Sequence, residues 1–220
     1  MILKQFSCIE GQKVDMRQAK AILKYKPDIV IQEAPSHNGK ADSIFNKYSV
    51  KNKPVSELEK INKNLKFLAE KYPWYLSDVY TYENISQLWK LGKNTQIYNV
   101  DGPSELLQET IIHKWNTTSP HRRGTHLVWW VYIFLREKIM TEYISKILLK
   151  NKNNKDLIVL VLMQKFHWLN VQFQLAHPKK DVIWNYYFGK FENLKPKDVE
   201  EIIKKENATL YKYWKKLKIN

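Results

Sequence analysis

The run DLIVLVLM at 156–163 is the feature that most limits how this chain can fold. It is apolar on both faces and only eight residues long, set between the polar stretch KNKNNK and the segment QKFH. A strand that sheds water from both faces belongs in the middle of a parallel sheet covered by helices.

The rest of the chain supplies matching parts. Residues 1–9 (MILKQFSCI) predict a buried first strand. Val14, Gln18, Ala21, Ile22 and Tyr25 fall at helical spacing over 14–25, and Pro27 ends that helix. Residues 28–33 (DIVIQE) contain three consecutive β-branched residues and predict a second strand. Strand, short helix, strand is the βαβ unit of a parallel sheet. A polar loop over 34–53 follows, then a helix over 55–72 with Leu58, Ile61, Leu65, Leu68 and Tyr72 on one face, and another over 82–91. Residues 96–100 (QIYNV) predict a third strand that ends at Asp101-Gly102-Pro103, where a helix can start at the proline. A basic loop at 117–124, a long helix over 125–150, the 156–163 strand, a short helix over 168–176, a last strand over 182–188 and a helix over 196–217 complete the pattern.

The expected fold class is therefore α/β, with a mainly parallel central sheet flanked by helices. A helical insertion or lid occupies 54–92, between the second and third strands, and a C-terminal basic helix falls within 196–220. No internal repeat or long linker divides the chain, so a single domain over 1–220 is expected.

Composition narrows the class. Hydrophobic residues at 44% and charged residues at 27% are those of a globular protein. The single cysteine, Cys8, rules out an intrachain disulfide and fits a reducing, cytoplasmic setting. The N-terminal stretch has no secretory h-region. The longest apolar runs, 127–135 and 157–163, fall well short of the roughly 20 residues of a membrane helix, so a soluble protein without a membrane span is expected. The net charge of +15 invites a polyanion partner, but only four of 37 basic residues are arginine: Arg17, Arg122, Arg123 and Arg136. Lysine spread along a chain reads first as a solvated face.

Chemistry-bearing residues follow the strands. The first strand is followed by Glu10, the second ends at Glu33, the third at Asp101, and the fourth runs on to His167. In a parallel sheet these positions share the edge where such folds bind ligands. Three carboxylates and an imidazole suit a divalent cation or acid–base work; acids in the same places also cap helix N-termini. Cys8 reads as packing within its strand. His121 and His126 are five apart and off one helical face. Arg122 and Arg123 could meet an anion, or be solvated. Trp129, Trp130, Tyr132 and Phe134 read as helix packing, while Trp74, Tyr75, Tyr80 and Tyr82 could wall a pocket.

The order of strand, polar turn and helix, then KPDIVIQE, IYNVDGP, LREKIM and QKFH, resembles the TraB/Tiki superfamily, which includes erythromycin-esterase-like and haem-binding ChaN-like proteins. That family carries Gly-x-x-His after its first and penultimate strand motifs, an acid ending the second strand, and an arginine on the long helix. Here Ser7-Cys8-Ile9-Glu10 falls on the first motif and Gln164-Lys165-Phe166-His167 on the second, with Glu33 on the acid and Arg136 on the arginine. Ser7 and Gln164 replace the glycines, and Glu10 replaces a histidine. The resemblance implies a divalent-metal-dependent hydrolase acting on a small-molecule or peptide substrate. Glu10 and His167 would hold manganese, magnesium or zinc, Glu33 would be a ligand or the base, and Arg136 would stabilise anionic charge. The alternative is an inactive scaffold of the same fold that binds nucleic acid or another polyanion.

Overall fold

The computed structural model describes residues 2–8, 12–33, 55–71, 76–102, 106, 127–191 and 193–219. Four strands, β1 (Ile2–Cys8), β2 (Ile29–Gln32), β3 (Gln96–Asn99) and β4 (Ile158–Gln164), form one sheet in the order β1-β4-β2-β3. Every pairing is parallel, with Cys8 opposite Gln164, and Gln32 opposite both Leu162 and Asn99. The carboxyl ends of β1, β4, β2 and β3 therefore share one edge. Val159, Leu160 and Val161 are fully buried, as a central parallel strand requires.

Helix α1 (Gln12–Tyr25) joins β1 to β2, and helices α2 (Val55–Lys71) and α3 (Leu76–Lys90) lie between β2 and β3. This is the expected insertion, with its second helix starting six residues earlier than the apolar spacing suggests. Ile22 of α1, Leu65 and Ala69 of α2, and Val79, Tyr82, Ile85 and Leu88 of α3 pack in one core with Val30, Ile97, Leu160 and Leu162. At the opposite, amino-terminal edge, Asp28 binds the Lys93 ammonium and accepts the Ile158 backbone N–H at 2.8 Å.

The remaining helices are α4 (Leu127–Lys150), α5 (Lys165–Ala176), α6 (Lys180–Phe188), α7 (Pro196–Glu206) and α8 (Ala208–Lys216). Among the described residues no helix is long and apolar enough to cross a membrane. The chain forms two compact units. The sheet unit draws on Met1–Ala34, Asp42–Val100 and Ile144–Leu169, and the helical unit on Asp101–Tyr143 and Asn170–Asn220. In the helical unit Phe134 packs edge-on against Tyr187 and Phe188, with ring centroids 5.1 and 5.3 Å apart. Tyr132 and Phe134 are buried, in keeping with a packing role for the aromatic stripe on this helix.

Two sequence expectations change. The segment 182–188 is helix α6, not a strand. Its β-branched and aromatic composition suits either state, but Ile183 with Tyr187, and Trp184 with Phe188, stand four apart, and three of these four side chains are buried. The single C-terminal helix is two, because Asn207 is extended (φ −153°, ψ 106°). Its backbone N–H closes α7 on Ile203 O at 2.8 Å, and its side-chain oxygen accepts the Leu210 N–H at 2.9 Å to start α8.

Candidate functional site

At the carboxyl edge the ladder carries Glu33 one step beyond β2, with its N–H donating to Leu162 O at 2.9 Å. Gln32, one residue earlier, is held by two buried contacts: its amide nitrogen donates to Asp78 Oδ1 at 2.9 Å and to Asn99 Oδ1 at 2.8 Å. The backbone that presents Glu33 is thus fixed from both neighbouring strands and from α3. Helix α5 starts at Lys165 directly after β4, so His167 lies on its first turn rather than at the end of the run of the fourth strand.

These placements bring Glu33 and His167 together. Glu33 Oε1 stands 3.6 Å from His167 Nε2, with side chains 10% and 6% exposed. Glu33 Oε2 accepts the Gln164 backbone N–H at 2.9 Å, which puts the carboxylate at the positive end of α5. The capping role open to any acid after a strand is therefore present, and the imidazole contact is additional to it.

The pair fits a shared cation in chemistry and spacing. An ion bound at about 2.0–2.2 Å to one oxygen and one nitrogen in a tetrahedral shell holds those atoms about 3.3–3.6 Å apart. The observed separation matches that span and exceeds the roughly 2.7–3.2 Å of a good hydrogen bond. Two donors are fewer than the three protein ligands of a catalytic zinc site. Among the described residues no group of three or more His, Cys, Asp and Glu side chains is gathered. Glu10 lies outside the described residues.

Asp101 and Arg136 belong to the helical unit, where they bind each other. Arg136 Nε donates to Asp101 Oδ1 at 3.0 Å and its terminal nitrogen to Oδ2 at 2.6 Å, while the Gly102 N–H also donates to Oδ1 at 2.6 Å. Both carboxylate oxygens are engaged and the guanidinium charge is matched by this carboxylate. Tyr82 is fully buried in the sheet unit's core rather than walling a pocket, and Tyr80 is half-buried. Trp74, Tyr75, His121, Arg122, Arg123 and His126 lie outside the described residues, and so does the side chain of Cys8.

Sequence reasoning missed a second polar cluster, in the helical unit. Glu137 is fully buried; Asn170 Nδ2 donates to its Oε1 at 2.8 Å and the Tyr187 hydroxyl donates to its Oε2. Gln174 Nε2 donates to the Tyr187 oxygen at 2.8 Å, and the Tyr186 hydroxyl to Asn170 Oδ1 at 2.5 Å. Burial, then the Glu137 charge, pushes the Tyr187 phenol far above its ordinary range, so it stays a donor. The run LREKIM shows only a charged helical stretch, and no local signal marks Glu137 as buried.

Comparison with family models, with curated proteins and with solved structures finds no match for this chain.

Proposed function

We propose that the sheet unit is a divalent-metal-dependent hydrolase, with its site where β2 and β4 end. Glu33 and His167 are two of its ligands, and Glu10, by its place two residues after β1, is the third. One observation carries this reading: two nearly buried donors of the right kinds, delivered by different elements, face each other at the spacing a shared ion requires. The resemblance of VIQE and QKFH to the TraB/Tiki pattern points the same way.

Each residue's part follows from its contacts. Glu33 Oε2 accepts the Gln164 N–H, and Oε1 is the oxygen that faces the His167 ring, the side on which a shared cation would sit. His167 lies on the first turn of α5 with its side chain buried, which limits the freedom of its ring. A bound divalent ion would supply a water acidic enough to attack near neutral pH. Asp101 and Arg136 are left out of this site because each satisfies the other.

Thermal unfolding in chelator, then in manganese, zinc, cobalt or magnesium, tests the reading. A ligand at about 100 times its Kd adds about 2.7 kcal/mol to the folded state. Wild type should show such a rise with at least one ion, and Glu33→Gln and His167→Ala should lose it. A rise with none of the four, or an undiminished rise in both variants, removes the proposal.

A further inference from the structure

We propose that the helical unit binds single-stranded nucleic acid on a three-ring stack formed by His177, Phe173 and Tyr186, flanked by Lys179 and Lys180. The stack stands independently of the hydrolase reading. Phe173 lies 4.4 Å from the His177 ring at 24° and 4.2 Å from the Tyr186 ring at 18°. At these separations the two outer rings cannot share one face of Phe173, so they sandwich it. Tyr186 is 47% exposed and His177 is exposed, so both outer rings of the stack present surface to solvent, with the Tyr187 ring standing at 81° to that of Tyr186.

The outer rings are held in place. The Tyr186 hydroxyl donates to Asn170 Oδ1 at 2.5 Å, and His177 Nδ1 meets Phe173 O at 3.0 Å. A platform fixed before binding loses little side-chain freedom when a base lands on it. The surrounding charge suits a phosphate backbone: residues 177–190 contain three lysines and one acid, Asp181, and Lys179 and Lys180 are exposed. With a net charge of +15 the whole chain favours anionic partners. Aromatic faces beside cations match a ligand that has both bases and phosphates. A purely anionic polymer has no use for the rings, and a duplex keeps its bases stacked on one another.

The test is fluorescence anisotropy of the full chain with three probes: a labelled 15-mer oligothymidylate, an abasic oligomer of equal length and charge, and labelled heparin. At low salt wild type should bind the thymidylate about 5- to 150-fold more tightly than the abasic oligomer, the range expected for stacking of one base. Tyr186→Ala should abolish that preference and Tyr186→Phe should keep it. His177→Ala repeats the test at the other end of the stack should Tyr186→Ala lose helical circular dichroism. Lys179→Ala and Lys180→Ala should weaken both oligomers alike, each flattening the logarithmic salt dependence by about 1. Equal affinity for thymidylate, abasic oligomer and heparin would overturn the proposal, as would no binding of thymidylate at low salt. So would a preference for bases that survives in folded Tyr186→Ala and His177→Ala.

Discussion

Glu33 and His167 meet across the end of the sheet: the carboxylate Oε1 stands 3.6 Å from the imidazole Nε2, while its other oxygen accepts the backbone N–H of Gln164, the last residue of β4. One side chain thereby ties β2 to the junction of β4 and α5. Hydrogen bonds to a charged group contribute about 1.5–3 kcal/mol. Glu33→Gln keeps the shape and loses the charge, so stability in chelator at pH 7 should fall by about 1–2 kcal/mol in urea titrations. A loss of only a few tenths would mean that this contact does not hold the edge together.

The third ligand can be tested by changing its chemistry. Imidazole suits zinc and cobalt better than carboxylate does, and carboxylate suits magnesium and manganese. Glu10→His should therefore raise the melting temperature gained with zinc or cobalt relative to that gained with magnesium. His167→Ala in the same chain should cancel the gain, because ligands of one ion are not additive. An unchanged zinc and cobalt response in folded Glu10→His takes residue 10 out of the metal shell.

Acid sensitivity should trace in part to Asp28. Burial alone would raise its pKa, but the Lys93 hydrogen bond, the Ile158 N–H and the Lys93 charge outweigh it and hold the carboxyl below its ordinary value. A folded-state pKa below the unfolded one contributes stability that is present above about pH 4 and is lost as pH falls through the folded value. Asp28→Asn should therefore flatten the acid limb of the stability–pH curve. At pH 7 it should cost about 1 kcal/mol or less, since the pair is about one-third exposed and screened. A variant whose acid limb superimposes on wild type would contradict this assignment.

In the helical unit, Tyr187→Phe removes the hydroxyl shared by Glu137 and Gln174 and leaves a buried carboxylate short of a donor. The expected loss is about 1–3 kcal/mol. Because Glu137 and Tyr187 belong to one network, Glu137→Gln combined with Tyr187→Phe should cost less than the two single losses together, by at least about 0.5 kcal/mol. Strict additivity in a double-mutant cycle would show that the two side chains do not act as a unit.

The strands were legible where burial is two-sided or where an acid closes a β-branched run: DLIVLVLM and DIVIQE carry β4 and β2, with Glu33 at the end of the latter. Residues 182–188 have the composition of a strand, VIWNYYF, and only burial of Ile183 and Tyr187, the latter against Phe134 of α4, decides for a helix. The break at Asn207 was hidden because KENA contains neither glycine nor proline. His167 follows the fourth strand in the sequence, yet no Ser, Thr, Asp or Asn stands just before Lys165 to announce the helix that begins there. The Asp101–Arg136 pair spans 35 residues, and the Glu137 contacts reach 33 and 50 residues ahead. Pairings at that range are products of tertiary packing, and no residue of either pair shows them by itself.

The strand order also sets a timetable for synthesis. Ile2 pairs with Ile158 and Cys8 with Gln164, whereas β2 and β3 can join as soon as Gln96–Asn99 is made. Among the described residues β1 has no sheet neighbour but β4. Strand β1 must therefore stay unpaired until Ile158–Gln164, 150 residues beyond Cys8, has been made, and closing so long a loop makes for slow, late assembly. A nascent chain stalled before Ile158 would hold a β2–β3 pair beside a first strand with nothing to bind, a species suited to chaperones or to aggregation.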